Sequence, residues 1–506
     1  MKSRARDVGI FASIIAVVIV AWAALASAPK SSAIPAFSRK YQTSCTTCHN
    51  NYPELNDFGE AFKKNGFKFP KDDEAFVKEP PVLLGAKAQK EAFPKAVYPG
   101  EIPGYLPIGF RYEGNFNWNG KQPAAATQTN GGPYAPLPRT DLFVPNTFTI
   151  LAAGSFSPNF SFWIDDDISA GGTGAGGGLG DGWVKYSDVG RIFHLPTNSL
   201  NIRFGQFEPD LPFSQARTYY LSGFDVFGET NVAQNVCNSA STVCQTTNNP
   251  FVLGTPQRGI EFGGTPNNGN FNWSVAYMDG TGSAYGGGSL VTRNTKDVYL
   301  RASYKFNLER DAESRHAVQA AGPTGPRDHT SIRAGVFYYH GTNQQILGGT
   351  GTPFAFAGTI NEPFYRLGGD LRFKYRHLEL FGVGLVGHDD NHLLNITTAT
   401  PTIVPTNAVT FTGGFVGANY WVYPWLIGTM RYDFVNSPSD FVNGVSQYNT
   451  RSAFRPGYQI LVRANIKVVG EYQHHWGQPY PDPNSTTGGL LYYRPNTFVT
   501  GIDYVF

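Results

Sequence analysis

Through most of the chain, apolar and polar residues alternate with a period of two, in runs of about ten residues. In KDVYLRASYKF (296–306), Val298, Leu300, Ala302, Tyr304 and Phe306 fall on one face, and Asp297, Tyr299, Arg301, Ser303 and Lys305 on the other. In LGGDLRFKYR (367–376), Leu367, Leu371, Phe373 and Tyr375 oppose Asp370, Arg372, Lys374 and Arg376. Such patterning belongs to strands with a different environment on each side. Charges stacked along one face make a poor globular core, but they suit a water-filled lumen whose outer wall touches lipid.

Sixteen such segments are predicted, near 105–118, 143–156, 158–167, 181–188, 199–206, 257–264, 268–278, 296–306, 331–340, 364–375, 377–387, 408–420, 423–434, 456–463, 466–476 and 496–506. Even strand numbers are the rule for single-chain bacterial barrels. Tight connections (SPN, GTPNNG, YRHL, WVYPW, RAN) follow even-numbered segments, and long Gly-, Asn- and Pro-rich stretches follow odd-numbered ones. That asymmetry of short periplasmic turns and long outer loops is the barrel pattern. Connections 189–198 and 307–330 fit it less well, leaving one strand pair open to miscounting. The last segment, TFVTGIDYVF, turns Phe498, Ile502, Tyr504 and Phe506 outward and ends on an aromatic residue. The predicted fold class is all-β, a 16-stranded outer-membrane β-barrel over residues 105–506, preceded by a short α-helical segment.

Composition agrees. Charged residues are 15% of the chain, against about 25% in soluble domains. A net charge of +2 gives no reason to expect a nucleic-acid partner. The mean hydropathy of -0.27 argues against a bundle of membrane helices. One long apolar run, VGIFASIIAVVIVAWAALA (8–26), follows Lys2, Arg4 and Arg6 and precedes small residues. That order is the export-signal pattern, so residues 1–33 are expected to be a signal peptide cleaved after Ala33. The rival reading, an uncleaved inner-membrane anchor, conflicts with a barrel that must reach the bacterial outer membrane and meet its lipid.

The chain has four cysteines. Cys237 and Cys244, in VCNSASTVC, fall in the longest outer loop, where an oxidising compartment favours a small loop-closing disulfide. Cys45 and Cys48 stand in SCTTCH with His49 directly after them. C-x-x-C-H is the attachment signature of c-type haem: two thiols add to vinyls on neighbouring pyrroles, and the adjacent imidazole reaches the iron. A redox dithiol would be expected in a βαβ setting, and half a zinc site would need a second Cys/His pair nearby. One covalent haem c is therefore expected, with His49 as its proximal ligand. After the motif, Pro53 suits a first helical turn. Glu54, Asp57 and Glu60 lie early and Lys63 and Lys64 late, complementing the helix dipole. Gly66 can close the helix, and Leu55, Phe58 and Phe62 form one apolar face for the haem plane, or barrel residues, to cover. The expected divisions are a monohaem cytochrome c segment at 34–75, a linker at 76–104 and the barrel beyond.

Neither methionine nor a second histidine occurs between Ile34 and Gly100. Distal-ligand candidates must come from the barrel wall. Met278 shares an inner face with Asn270, Asn272 and Ser274; His475 shares one with Glu471 and Gln473; His377 sits at a periplasmic turn, inward if Glu379 is. Met430 keeps register with Leu426 and Tyr432 and is set aside as lipid-facing. An open or water-ligated iron is the other option, and would favour ligand binding or peroxidase-like chemistry. In GHDDNH (387–392), His388, Asp389, Asp390 and His392 offer donors suited to Fe(II) in an outer loop. In FWIDDDI, Asp165 and Asp167 share a face with Trp163 and Asp166 takes the other; the pattern leaves open which face meets the lumen.

The stretch AFSRKYQTSCTTCHNNYPELNDFGEAFKKNGF (36–67), joined to a sixteen-strand barrel, is similar to the fused monohaem cytochrome–porins of iron-oxidising bacteria. The resemblance is specific over 36–70 and architectural over the rest. It implies that electrons from an extracellular donor, typically Fe(II), enter the haem and pass to periplasmic electron carriers. The corresponding activity is Fe(II):cytochrome oxidoreduction. The alternative is a transport porin whose haem-bearing plug is structural or acts as a redox gate. The hydrocarbon core is about 30 Å thick, too thick for a haem dangling in the periplasm to meet an outside donor. The cytochrome segment is therefore expected to fold back and plug the lumen.

Overall fold

A computed structural model describes residues 36–69, 73–80, 82–83, 91–92, 101–120, 138–155, 159–170, 179–214, 220–228, 232–237, 244–249, 251–280, 295–308, 330–347, 358–390, 392–395, 402–405, 408–436, 441–442, 445–446, 451–476, 480–481, 490–491 and 495–506. The expected signal peptide lies outside the described residues.

All sixteen predicted strands form. They are β1 Ile108–Asn119, β2 Thr140–Ser155, β3 Phe160–Ala170, β4 Leu179–Tyr186, β5 Asn201–Phe207, β6 Gln257–Gly264, β7 Phe271–Met278 and β8 Asp297–Asn307, then β9 Ser331–Leu347, β10 Gly358–Tyr375, β11 Leu378–Asp389, β12 Val409–Tyr423, β13 Leu426–Asn436, β14 Arg451–Arg463, β15 Ile466–Trp476 and β16 Thr497–Val505. Each pairs antiparallel with its chain neighbour, and β16 returns to β1 with Asp503 opposite Glu113, closing the barrel. Phe506 completes the seam: Phe110 and Phe506 exchange backbone hydrogen bonds of 2.7 and 2.9 Å, and their rings stack at 5.3 Å. No strand pair was miscounted. β4 and β5 pair directly across the 187–200 turn, and β8 pairs directly with β9.

The inside-out pattern is as read. Leu367, Leu371, Val336, Val416 and Met430 face outward and are each 47–61% exposed, while Arg301, Arg366, Asp370, Arg431, Asp433 and Arg455 are buried inside. Water would penalise such a surface, whereas hydrocarbon favours it. Closure matters for the same reason: in lipid every backbone N–H and C=O needs a partner, and a closed ladder leaves no edge unpaired. The chain is a porin-like barrel of the bacterial outer membrane.

The lumen is filled from two directions. Residues 36–69 enter at the end carrying the short turns. From the other end, the chain leaving β5 folds inward instead of arching over the mouth. Phe224, Val226, Phe227, Phe251 and Leu253 of this connection are 0–1% exposed. Phe224 stacks on Phe415 at 4.2 Å, and Phe213 meets Phe381 at 5.1 Å. Arg455 grips Asp225 with bonds of 2.9 and 3.1 Å, and Arg431 donates to the Gly223 carbonyl at 2.6 Å. The sequence reading had placed this whole stretch as an outer loop. The signal overlooked is the apolar spacing of LSGFDVFG, which has no reason to face water. Farther along, residues 232–237 and 244–249 form a hairpin that sets Cys237 directly opposite Cys244. In the expected linker, Val82–Leu83 pairs with Glu101–Ile102.

Candidate functional site

The segment inside the lumen is built around one tight turn. Helix α1 (Ala36–Tyr41) leads into a single 3-10 turn at Cys45–Thr47, closed by Thr47 N donating to Ser44 O at 3.0 Å and Cys48 N to Cys45 O at 3.2 Å. His49 then pairs opposite Leu55. Helix α2 spans Asp57–Lys64 and starts later than the Pro53 expected from sequence. The reason is Asn56, whose side chain accepts from Gly59 N at 2.8 Å and so takes the N-cap. The same side chain donates to Thr47 O at 3.0 Å, while Asn56 N donates to Cys48 O at 3.0 Å. One residue thus caps α2 and ties it to the cysteine turn. Gly59 makes the approach possible, since a Cβ there would lie 2.1 Å from the Cys48 carbonyl oxygen. After α2 the chain reverses at Gly66 with φ +69°, against Ser187 of the wall.

Contacts around the circumference hold this segment in place. Arg39 donates to Ile108 O at 2.7 Å, Lys40 to Ser155 Oγ at 3.1 Å, Lys185 to Lys64 O at 2.6 Å and Gln459 to Tyr52 O at 3.1 Å. Lys305 pairs with Asp57, and Glu54 lies 3.7 Å from both Arg372 and Lys374. Phe67 packs between Trp163 and Trp183, at 5.8 and 5.7 Å.

Between the segment and the wall of β1–β3, β15 and β16 lies a cavity of about 520 Å³, onto which Cys45, Cys48 and His49 all open. Its size falls within the range of about 300–1,000 Å³ usual for bound organic ligands. One flank is apolar, formed by Phe37, Tyr41, Phe62, Phe67, Phe69 and Trp163. Burial pushes the Cys48 thiol up to about 12 and raises that of Cys45 as well. His49 Nδ1 donates to Pro53 O at 3.2 Å, which puts the ring's lone pair on Nε2, the arrangement common among metal-ligating histidines. Two thiols, one oriented imidazole and an apolar slot form a donor set that a covalent haem fits.

The other candidates are distributed as follows. Leu55 and Phe62 line the cavity; Phe58 instead packs edge-on against Phe69 at 5.0 Å. Asp165, Asp167 and Trp163 face the cavity while Asp166 faces outward, settling which side of FWIDDDI meets the lumen. Asp165 accepts from Asp181 N and Asp167 from Thr149 Oγ1. The three distal candidates lie elsewhere. Met278 is buried at the far end of β7, opposite Gly259. His377 sits in the β10–β11 turn with Nδ1 on Trp421 O at 3.0 Å, and His475 lies near the outer end of β15, opposite Ala453. Among the described residues the cavity lining holds no methionine and no histidine besides His49. Among the described side chains of GHDDNH, Asp389 parts from the other two donors. Asp389 turns inward to Arg366, at 2.7 and 3.1 Å, while His388 Nε2 meets Asp390 at 3.1 Å. The side chain of His392 lies outside the described residues. No group of three or more His, Cys, Asp or Glu placed to hold a metal ion occurs among the described residues.

Sequence reading missed Tyr52, Arg111, Lys467 and Tyr220, all on the cavity wall. Inward register on the first and fifteenth strands could have found Arg111 and Lys467. Beside the cavity, a second chamber of about 140 Å³ is lined by Glu60, Lys63 and Lys64 of α2 and by Lys185, Arg203 and Arg301 of the wall.

The chain matches no protein-family model and no curated protein sequence. Among solved structures it is similar to Salmonella typhi OmpF in complex with daunomycin (12% identity, 79% of this chain and 98% of that one, TM-score 0.44). It is also similar to the outer-membrane channel DcaP of Acinetobacter baumannii (11%, 79% and 96%, 0.44) and to the anion-selective porin of Comamonas acidovorans (13%, 79% and 98%, 0.44). At these values the likeness does not bear on what the chain does, and the functional reading rests on its own geometry.

Proposed function

We propose that residues 36–69 are a monohaem c-type cytochrome lodged in an outer-membrane barrel, and that the protein carries electrons across that membrane. The donor is extracellular, Fe(II) being the one implied by the family resemblance, and the acceptors are periplasmic electron carriers. The observation that carries this reading is the single cavity shared by Cys45, Cys48 and His49. A haem bound there would supply a one-electron Fe(III)/Fe(II) couple. The protein's own contributions are separable. Cys45 and Cys48 anchor the ring to the 3-10 turn. Pro53 O fixes the His49 tautomer and orientation. Phe37, Phe62 and Phe67 exclude water from one face, and the barrel brings the whole assembly inside the membrane.

Protein reconstituted in liposomes with an enclosed acceptor tests this directly. An outside one-electron donor is expected to reduce the acceptor, and no transfer from a haem-loaded preparation would refute it. A second reading, a transport porin with the plug as gate, is favoured by the charged chamber beside α2. It predicts solute uptake by the same liposomes with the acceptor untouched.

Two smaller predictions follow from the local geometry. Gly59→Ala forces a Cβ against the Cys48 carbonyl, and overpacking of this kind costs about 1–3 kcal/mol. Haem stain per folded barrel is expected to drop severalfold; wild-type staining would show that α2 does not rest on the cysteine turn. The opposed Cys237 and Cys244 are proposed to form a disulfide, since antiparallel partners sit about 4.5–5.5 Å apart at Cα, within disulfide reach. Non-reducing peptide mapping should recover them in one linked fragment, and free alkylation of both thiols would count against it.

A further inference from the structure

We propose that Arg111 of β1 and Lys467 of β15 clamp the two propionates of the haem, so that the cofactor is held covalently by the plug and ionically by the barrel wall. The proposal rests on the cytochrome reading above and deepens it.

A haem is amphipathic: its macrocycle wants the apolar flank, and its two carboxylates, at one edge, need cations when removed from water. Three cationic side chains line the cavity, Lys63, Arg111 and Lys467. Two of them converge on one place. Tyr52 stands beside the His49 ring at 5.5 Å, with Lys467 Nζ 5.1 Å and Arg111 Cζ 5.9 Å from the tyrosine ring. Both therefore lie near His49, through Tyr52. Their present partners leave capacity. Arg111 uses Nε and Nη2 on Asp503, at 3.2 and 2.9 Å, and Nη2 also on Glu113. Among the described residues Nη1 has no acceptor, and guanidinium geometry suits a carboxylate. Lys467 Nζ meets Asp503 at 2.9 Å and has two further donors. Of the carboxylates on the wall, Glu113 and Asp503 are already paired with Arg111 and Lys467, whereas Asp165 and Asp167 on β3 make that side repel propionates.

The test uses full-length haem-loaded protein in detergent, with haem content and heat-modifiable gel mobility measured first. The readout is the midpoint potential as a function of pH. With Arg111 and Lys467 present, the propionates stay ionised through neutral pH and the potential is expected to be nearly flat. In Arg111→Gln/Lys467→Gln the desolvated propionate pKa rises. Reduction then takes up a proton, and the potential should fall as pH rises. Arg111→Lys, which keeps the charge, should stay nearly flat, as should Lys63→Gln, which removes the third cation. A double variant with full haem content and a wild-type profile overturns the clamp, and so does a slope that appears in Lys63→Gln instead. Should the double variant fail to fold, the same comparison is read from Lys467→Gln alone. Absence of haem from wild-type protein would sink the cytochrome reading itself, a result the initial haem measurement separates from failure of the clamp.

Discussion

Cys45→Ser/Cys48→Ser protein is expected to insert as an intact barrel that carries no covalent haem and passes no electrons to an enclosed acceptor. The effect on transfer should be complete, because both attachment points disappear together. The effect on the barrel should be small. Its ladder closes through β16 and β1 without help from the plug, as the Asp503–Glu113 register and the Phe110–Phe506 bonds show. The plug's wall contacts, such as Arg39 on Ile108 O and Gln459 on Tyr52 O, do not involve either thiol. Haem staining after denaturing electrophoresis, alongside heat-modifiable mobility of the folded barrel, measures both halves. Covalent haem persisting in the double variant would remove the motif from its assigned role. Normal transfer without haem would remove the cofactor from the mechanism.

Asp225→Asn should open the outer half of the lumen. Two guanidiniums, Arg431 and Arg455, and two carboxylates, Asp433 and Asp225, meet where the inward loop crosses β13 and β14, and Arg431, Asp433 and Arg455 are 0–2% exposed. Arg455 donates from Nη2 to both carboxylate oxygens of Asp225 and from Nη1 to Asp433, which Arg431 shares at 2.6 Å. Neutralising Asp225 leaves Asp433 as the carboxylate hydrogen-bonded to both buried guanidiniums, with Glu471 farther off. Removing one partner of such a pair costs about 3–5 kcal/mol, concentrated on the loop, which is the part that can leave. The loop's remaining ties are aromatic packing, as of Phe224 on Phe415 at 4.2 Å, and hydrogen bonds such as Tyr220 to Met430 O at 3.0 Å and Arg431 to Ser222 O at 3.2 Å. In planar bilayers the wild type is expected to be electrically tight. The variant should show open-pore conductance and faster proteolysis within 208–228. Equal tightness and equal protease resistance in both would show that the ion pair does not hold the loop. Conductance in the wild type would support the transport reading.

These predictions draw on different layers of information. The strands were legible because each must satisfy two environments at once. Leu367 and Leu371 must meet lipid while Asp370 and Arg372 meet the lumen, and such a pattern is written locally, residue by residue. The Cys45–Cys48–His49 motif was equally local, since its three groups stand within five residues. The inward loop was not legible in the same way. The apolar spacing of Leu221, Phe224 and Phe227 does not say which surface it meets, and the partners of Phe224, Phe227 and Phe251, namely Phe415, Phe337 and Phe364, are distant in sequence.

The distal candidates show a related limit. Register gave the face of Met278 and His475 correctly, as lumen-side positions. Their height along the strand and their distance from the cysteine turn depend on where the plug comes to rest. What the sequence by itself determined is therefore the barrel, its strand count and its inward charges. Tertiary structure alone decided that the turn faces β1–β3, β15 and β16, that Asp165 and Asp167 look into its cavity, and that the β5–β6 connection fills the bore. Alternation is fixed by neighbours two residues apart, whereas the packing of a plug within a cylinder is fixed by surfaces that meet only once the cylinder has closed.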